Sequence, residues 1–386
     1  MHQIIRGLRP RDPKEHHRVA TTLELFFDLV TVIAIAAVTA GLHHGISEGH
    51  GLEVLPRFLF LFVAVWWCWM NFTWFASAFD NDDPLYRFLV MVIMCGELIF
   101  AGGAAYIFDT LDMRFGILGW VIMRLGMAAL WLRAARGNPD YRTTCTRYAI
   151  GILIAQALWA LMYVTCPPGS TVFFQVGIAI YVVELCVPVY AERARATPFH
   201  RHHIIERYGL LMIISLGEIM LSISHGFGAL FSDHPSLQAA LTSVSGLVLV
   251  FSIWWIYFCE EEHLTTTEMP QAIIWGYGHV LIFMATAMLG AGIAATVDVA
   301  THHGVATAGE VSHWIGIALA LLFGTLWLVR DRAHALPPRL KLALPVATVV
   351  FGLGAFLGLP LWAYALLSVG LVNWRAPHLG QAKGAS

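Results

Sequence analysis

Long apolar runs recur along almost the whole chain, and they limit its fold more than any other feature of the sequence. Each run reaches the roughly 20 residues that an α-helix needs to cross about 30 Å of hydrocarbon. Of the 386 residues, 58% are hydrophobic and 12% are charged, whereas about 25% are charged in an ordinary soluble protein. The sequence therefore predicts an all-α, polytopic helical membrane protein whose surroundings are the lipid bilayer.

About twelve spans are predicted from the apolar runs and the residues that separate them. Pro84, Pro139, Pro167 and Pro198 fall between runs, where helices begin or end. The last two spans are short and only Gly358-Leu359-Pro360 separates them, so a single broken helix is the alternative there. The predicted spans cover residues 21–43, 55–78, 86–108, 114–133, 147–165, 171–190, 204–226, 239–260, 271–297, 312–330, 341–357 and 359–374.

Lysine and arginine are distributed unevenly between the two sides of the predicted bundle. With the N-terminus inside, 20 of the 23 fall on the cytoplasmic side, among them Arg207. Arg57 and Arg114 fall outside, and Arg124 lies within a span. Cytoplasmic loops carry such an excess in helical membrane proteins. Both termini are therefore predicted to be cytoplasmic, and the basic first 20 residues have no features of a removable signal peptide.

A weak internal repeat relates the two halves of the chain. A constant shift of 189 residues aligns Trp66 with Trp255 and Asp109 with Asp298. Because six helices per half is an even number, the halves would point the same way, as a parallel 6+6 repeat. The predicted parts are a basic cytoplasmic tail (1–20), a first six-helix half (21–190), a basic linker (191–203), a second six-helix half (204–374) and a cytoplasmic tail (375–386).

Ionisable side chains inside the apolar runs indicate where function resides. Such a group costs about 2.5 to 3.5 kcal/mol at the centre of a membrane helix, so it should face protein or water. The deep carboxylates are Asp28, Glu97, Glu184 and Glu218, and the deep arginine is Arg124. One cation neutralises only one or two carboxylates, so some of the acids are expected to hold protons at neutral pH.

Two acids lie near the start of the first span. Glu24 follows Thr21 by three residues, the arrangement of a capping box, so a structural role in the helix start is available to it. Asp28 lies one turn deeper on the same face, where capping cannot reach it. Asp28 is therefore the stronger functional candidate of the two.

The seventh span carries a polar stripe. Ser215, Glu218, Ser222 and His225 fall within an arc of about 80° at 100° per residue. The stripe is either a functional site or a buried polar network that holds helices together. Glu206 lies outside the arc, in the predicted first turn, where a role at the positive helix end is as plausible as a functional one.

The remaining signals argue against metal and cofactor sites. The six cysteines have no CxxC spacing, and Glu260-Glu261-Glu262-His263 lacks the HExxH pattern, which favours a solvated loop. His279 is read as a core histidine, with membership of a proton relay as the alternative. No metal or cofactor is expected, and a net charge of −2 gives no reason to expect nucleic acid.

Several motifs resemble a known family. Residues 22–30, TLELFFDLV, are similar to the ELFFDLV opening of the bacterial low-temperature-requirement A family. Glu206-Arg207-Tyr208-Gly209 and Leu216-Gly217-Glu218 resemble its ER(F/Y)G and LGE elements, and Trp66-Trp67-Cys68-Trp69 also fits. The resemblance extends from about residue 15 to residue 300. It implies a multi-spanning protein of the bacterial inner membrane, and a family named for a growth defect in the cold adds no substrate.

The leading hypothesis is a proton-coupled transporter of an unknown small solute. Asp28, Glu97 and Glu218 would exchange protons or bind a cation, and Arg124 would be a counter-ion to an acid or to an anionic substrate. The alternatives are an intramembrane enzyme acting on lipid or a hydrophobic cofactor, and a non-catalytic membrane scaffold. The enzyme, which is less favoured, would use a histidine of the seventh or ninth span with Glu218 as general acid and base. The sequence gives no indication of the oligomeric state.

Overall fold

All regular structure in the described residues is helical, which confirms the predicted all-α fold. The computed structural model describes residues 7–12, 15, 18–228, 231, 236–259, 264, 268–334 and 336–382, with the backbone alone from 376 to 382. A 3-10 turn (Pro139–Tyr141) precedes α5, and a π-helical segment (Trp327–Asp331) continues α10. The helices are α1 (Thr22–Ser47), α2 (Gly51–Phe79), α3 (Pro84–Thr110), α4 (Arg114–Gly137), α5 (Arg142–Thr165), α6 (Thr171–Glu192), α7 (Arg201–Gly228), α8 (Leu237–Phe258), α9 (Met269–Ala300), α10 (Ala308–Leu326), α11 (Pro338–Leu357) and α12 (Leu361–Ala382).

The helices of the described chain have the lengths and apolarity of membrane spans. Eleven of them, α1 to α11, are long and apolar enough to cross a bilayer. Large apolar side chains remain exposed on their outer faces, for example Leu52 at 77% and Phe356 at 81%. Lipid is the solvent that suits such surfaces. The protein is therefore a polytopic helical membrane protein.

Several helix ends coincide with local capping signals in the sequence. Asp83 accepts the backbone N–H of Tyr86 and Pro84 occupies the first position of α3, a common helix start. Thr307 and Glu310 form a capping box at the start of α10. Gly358 ends α11 with a φ of 66°, a conformation that glycine adopts without strain. Consequently α11 and α12 are two helices, and the alternative of one broken helix is wrong.

The chain forms two compact units. Unit 1 comprises Met1–Val38, Leu61–Leu210 and Thr267–Pro270. Within it, successive helices from α3 to α6 pack against one another. Trp131 of α4 stacks on Tyr148 of α5, with ring centroids 3.9 Å apart. The predicted six-helix halves and their parallel repeat stay predictions.

Unit 2 comprises Thr39–Phe60, Leu211–Thr266 and Gln271–Ser386. Within it, α10 packs against α11 and α8 packs against α12. The 32-residue helix α9 is the most deeply buried span, with 83% of its apolar window inside the protein. Small residues of α9, such as Gly290 and Ala291, allow close helix packing.

A buried charge network joins three helical segments of unit 2. Arg375 Nη1 lies 2.5 Å from Asp331 Oδ2, and Arg330 Nε donates to Asp331 Oδ1 at 2.7 Å. Arg330 Nη1 also donates to the carbonyl oxygens of Ile256 and Tyr257 at 3.0 and 3.1 Å. Those carbonyls belong to the last turn of α8, where backbone acceptors lack partners within the helix. Arg330 therefore caps α8 while it pairs with Asp331.

Candidate functional site

Two carboxylates of α1 and one guanidinium of α7 meet inside unit 1. Glu24 and Asp28 lie one turn apart on the same face of α1. Arg207 Nε and Nη2 donate to the two carboxylate oxygens of Asp28 at 3.0 and 2.5 Å. Arg207 Nη1 lies 3.0 Å from Oε1 of Glu24. No more than 1% of any of these side chains is exposed, so the three charges are shielded from water together.

An imidazole and an indole complete the group, and we call Glu24, Asp28, Trp69, His203 and Arg207 the ion-pair cluster. His203 Nε2 lies 3.0 Å from Oε1 of Glu24. The Trp69 indole N–H donates to Oδ1 of Asp28 at 2.6 Å. With both carboxylates ionised, the cluster carries one net negative charge when His203 is neutral and none when it is protonated. Its charge therefore depends on a single buried imidazole.

Glu24 also performs the predicted capping role. Its Oε2 accepts the Thr21 backbone N–H at 2.7 Å, and its own N–H donates to Thr21 Oγ1 at 3.3 Å. This is the reciprocal pair of a capping box. One carboxylate oxygen of Glu24 thus caps α1 and the other faces Arg207. Glu24 is therefore both a helix cap and a member of the ion-pair cluster.

Glu97 of α3 is a buried acid without a counter-charge in the described part of the chain. It is fully buried, and neither carboxyl oxygen has a hydrogen-bond partner of normal geometry among the described residues. The Thr31 hydroxyl of α1 is a polar neighbour of Glu97, and Asp28 acts on this acid electrostatically. No described lysine, arginine or histidine lies within ion-pair distance of Glu97. Glu97 therefore continues the row of acids that begins with Glu24 and Asp28.

Arg124 and Glu184 form a second buried pair in unit 1. The Arg124 guanidinium of α4 donates to Oε2 of Glu184 in α6. The Trp67 indole N–H donates to the same oxygen at 2.9 Å, and the Gln156 amide donates to Oε1 at 3.2 Å. Both carboxylate oxygens are thus satisfied. Arg124 is therefore the counter-ion of Glu184 in this structure.

The buried Cys68 thiol of α2 is within electrostatic range of Glu97, Arg124 and Glu184. Asp28 in turn acts electrostatically on Glu97. Unit 1 therefore contains a series of buried ionisable side chains in which neighbouring members influence one another's charge. Asp28, Glu97, Arg124 and Glu184 of the predicted set belong to this series.

The predicted polar stripe of α7 belongs to unit 2. Ser215 is buried, Glu218 and Ser222 are partly exposed, and His225 is exposed. Glu218 makes no hydrogen bond to any described residue, so the predicted pairing with His225 or His279 as acid and base is absent from the described contacts. His279 is buried, and its Nδ1 lies 2.8 Å from the carbonyl oxygen of Trp275. The choice between a core histidine and a relay member stays a prediction.

Two interpretations at the start of α7 need correction. The helix begins at Arg201, three residues before the predicted start, so Glu206 lies in the second turn and not in the first. Its carboxylate accepts the backbone N–H of Ala20 at 3.2 Å. Arg207, placed at the cytoplasmic surface by the sequence, is fully buried. Unit 1 therefore has two fully buried arginines among its described residues, Arg124 and Arg207, where one was predicted.

Sequence reasoning missed Arg207, His203 and Trp69 as members of the ion-pair cluster. One signal was available, because His203 and Arg207 are four residues apart and therefore share a helical face. The ERYG motif contains Arg207 next to Glu206, and its position near the predicted helix start indicated a surface charge. Trp69 gave no local signal, since an interfacial anchor and a buried hydrogen-bond donor look alike in sequence.

Metal binding has no support in the described contacts. No group of three or more His, Cys, Asp or Glu side chains in the part of the chain that the structure describes is arranged to hold a metal ion. The acidic run Glu260-Glu261-Glu262-His263, interpreted as a solvated loop, lies outside the described residues.

Comparison with known proteins identifies the family. The chain is 25% identical over 348 residues to an uncharacterized protein of Rhizobium meliloti (strain 1021), covering 86% of this chain and 82% of that protein. No solved structure matches the chain. The family model for the bacterial low temperature requirement A protein (LtrA) matches residues 19–376 and so includes every residue of the ion-pair cluster. The resemblance read from the motifs is thereby confirmed, and the chain belongs to the LtrA family.

Proposed function

We propose that this protein is a proton-coupled membrane transporter of a small solute, with its proton pathway in unit 1. The observation that carries the proposal is Glu97, a fully buried carboxyl whose oxygens have no hydrogen-bond partner among the described residues. An acid in such a place is expensive to ionise, and ionisable groups inside spans are associated with proton relays and substrate paths. We infer that Glu97 rests as the neutral acid.

The ion-pair cluster supplies the partner that such a relay needs. Arg207 contacts Asp28 and Glu24 at once, so its interaction with each depends on the charge of the other. A proton passed from Glu97 to Asp28 would weaken the pair between Asp28 and Arg207. Arg207 would then turn toward Glu24 and balance its charge, so a protonated His203 at the same oxygen would release its proton to the pathway. The cluster would thus exist in two charge states that favour two arrangements of α1 and α7.

The Arg124–Glu184 pair is the proposed place where the solute engages the pathway. A guanidinium held by one carboxylate, with indole and amide donors alongside, can exchange that carboxylate for an anionic group of comparable geometry. Such an exchange requires Glu184 to take a proton, which would couple solute binding to protonation. Glu218 of unit 2 would be a further acid that exchanges protons.

Proton flux in proteoliposomes tests the pathway before any solute is known. Purified protein would be reconstituted with a trapped pH dye, the membrane potential clamped, and a pH gradient imposed. We expect proton flux above that of protein-free liposomes, with near-complete loss in Glu97→Gln and Asp28→Asn. The matched control is Asp109→Asn, an exposed acid of the same helix as Glu97, which should retain the flux.

Three outcomes would contradict parts of the transport proposal. Equal flux in the wild-type protein and in Glu97→Gln would remove Glu97 from the pathway. Neutral variants of all the buried acids that keep stability and cellular phenotype, without any proton flux in the wild type, would favour a non-catalytic scaffold. Altered lipid species in cells lacking the protein would instead favour the intramembrane enzyme.

A further inference from the structure

Unit 2 contains a cavity of about 490 Å³ that the ionisable side chains do not reach. It is formed where α8 and α10 begin, α9 approaches its end and α11 connects to α12. These helix ends lie on one side of unit 2. The orientation predicted from lysine and arginine places that side away from the cytoplasm. Pockets for small molecules have volumes of about 300 to 1,000 Å³, so this cavity is of a suitable size for one.

One wall of the cavity is polar. Gln238, Thr242 and Ser245 lie at positions i, i+4 and i+7 of α8, which places them on one face, and all three line the cavity. The Ser245 hydroxyl donates to the Leu241 carbonyl at 2.8 Å, which leaves its oxygen as an acceptor. Gln238 is exposed, and its amide makes no hydrogen bond to a described residue. The polar wall thus offers amide donors near the helix start and hydroxyl acceptors within about 12 Å of it.

A second part of the lining is apolar and reaches the exposed surface of the helices. Ile315 of α10 and the segment Leu359–Trp362 supply it. Trp362 is 59% exposed and Leu241, at the edge of the polar wall, is 60% exposed. An apolar chain could therefore pass from the cavity into the bilayer without crossing a polar barrier.

The charge of the lining determines the class of ligand. Among the described residues that line the cavity, none is ionisable. A charged headgroup placed there would lose hydration without gaining a counter-ion, which is unfavourable. We propose that this cavity binds an uncharged amphiphile, a long-chain alcohol or ketone, with its oxygen at Gln238 and Thr242 and its chain along Ile315 and Trp362. This inference does not depend on the proposed proton pathway.

Photolabelling of the full-length protein in lipid nanodiscs tests the proposal. The probe is a long-chain alcohol that carries a diazirine in its chain, and the comparison probe is the corresponding ionised fatty acid. We expect the alcohol to label peptides within residues 237–245, 308–315 and 359–362. An excess of unlabelled alcohol should reduce that labelling roughly tenfold, as expected for steric competition in an apolar pocket.

Matched variants make the result specific to the cavity. Ala308 lines the cavity and is exposed, so Ala308→Phe should fill it and lower labelling roughly tenfold. Val244→Phe adds the same ring to an exposed face of α8 outside the lining and should leave labelling unchanged. Should Ala308→Phe fail to fold, Gln238→Leu should weaken labelling by the alcohol without affecting a diazirine alkane. Labelling spread over the lipid-facing surface, or equal labelling by the fatty acid, would overturn the proposal.

Discussion

Arg207 connects two carboxylates that would otherwise be buried without a guanidinium. Replacing it by glutamine leaves Glu24 and Asp28 in the protein interior, and His203 is then the one potential cation within ion-pair distance among the described residues. Removing one partner of a buried ion pair typically costs about 3 to 5 kcal/mol. We therefore expect Arg207→Gln to be strongly destabilised in thermal unfolding followed by tryptophan fluorescence.

A double variant separates pairing from packing. Adding Asp28→Asn to Arg207→Gln removes the stranded charge, so stability should be partly restored relative to Arg207→Gln alone. Arg193→Gln, at an exposed position just after α6, is the matched control and should unfold like the wild type. An Arg207→Gln variant as stable as the control would show that the cluster contributes nothing to stability.

Asp80, just after α2, should make stability depend on pH. Burial raises the pKa of Asp80 from 3.8 to about 6, the negative charge of Glu24 adds to this, and Arg18 opposes it. The folded state therefore holds the proton more tightly than the unfolded chain does. The free energy of unfolding should therefore fall by about 2 to 3 kcal/mol, from this residue, as the pH rises from about 4 to 6. Above pH 6 it should level off.

Asp80→Asn isolates that contribution. Asparagine keeps an oxygen to accept the Asp82 backbone N–H, which Asp80 accepts at 3.1 Å. At pH 7 the variant should be more stable than the wild type, and the difference should vanish near pH 4. The measurement is the unfolding temperature of both proteins across that pH range. An equal difference in unfolding temperature at every pH would show that Asp80 does not change its protonation between pH 4 and 7.

At the scale of helices, the charge network of unit 2 should hold α8, α10 and α12 together. Asp331 is fully buried and pairs with two arginines, so Asp331→Asn leaves both cations without an anion in the described contacts. We expect a loss of about 3 to 5 kcal/mol, measured as a lower unfolding temperature. Asp82→Asn breaks an exposed pair with Arg87 and should change it little. Equal effects of the two variants would contradict the assignment.

The helices themselves were largely predictable from sequence, and their partners were not. Apolar runs and breakers located the spans because bilayer thickness fixes helix length. Pro84 and Gly358 marked real ends because their backbone preferences are local. The start of α7 was misplaced because His202 and His203 look like linker residues, although His203 is buried against Glu24. The burial of Arg207 depends on tertiary packing around that turn, and the sequence alone does not show it.

At the scale of the whole molecule, orientation is the prediction that remains to be measured. Arg207 is buried, but the other cytoplasmic lysines and arginines still outnumber Arg57 and Arg114. Both termini should therefore face the cytoplasm. A fluorescent protein that matures only in the cytoplasm should fluoresce when fused after residue 386. The same reporter inserted after residue 358, between α11 and α12, should stay dark, and fluorescence at both positions would reject the twelve-span topology.

Asp28 is synthesised well before its partner Arg207. The two residues are 179 positions apart, so at about 5 to 20 residues per second the ribosome needs roughly 9 to 36 s to deliver the arginine. Throughout that interval Glu24 and Asp28 have been synthesised and Arg207 has not. We therefore expect the two acids to stay protonated or hydrated until α7 is inserted. Their ion pairs with Arg207 would then form late in assembly.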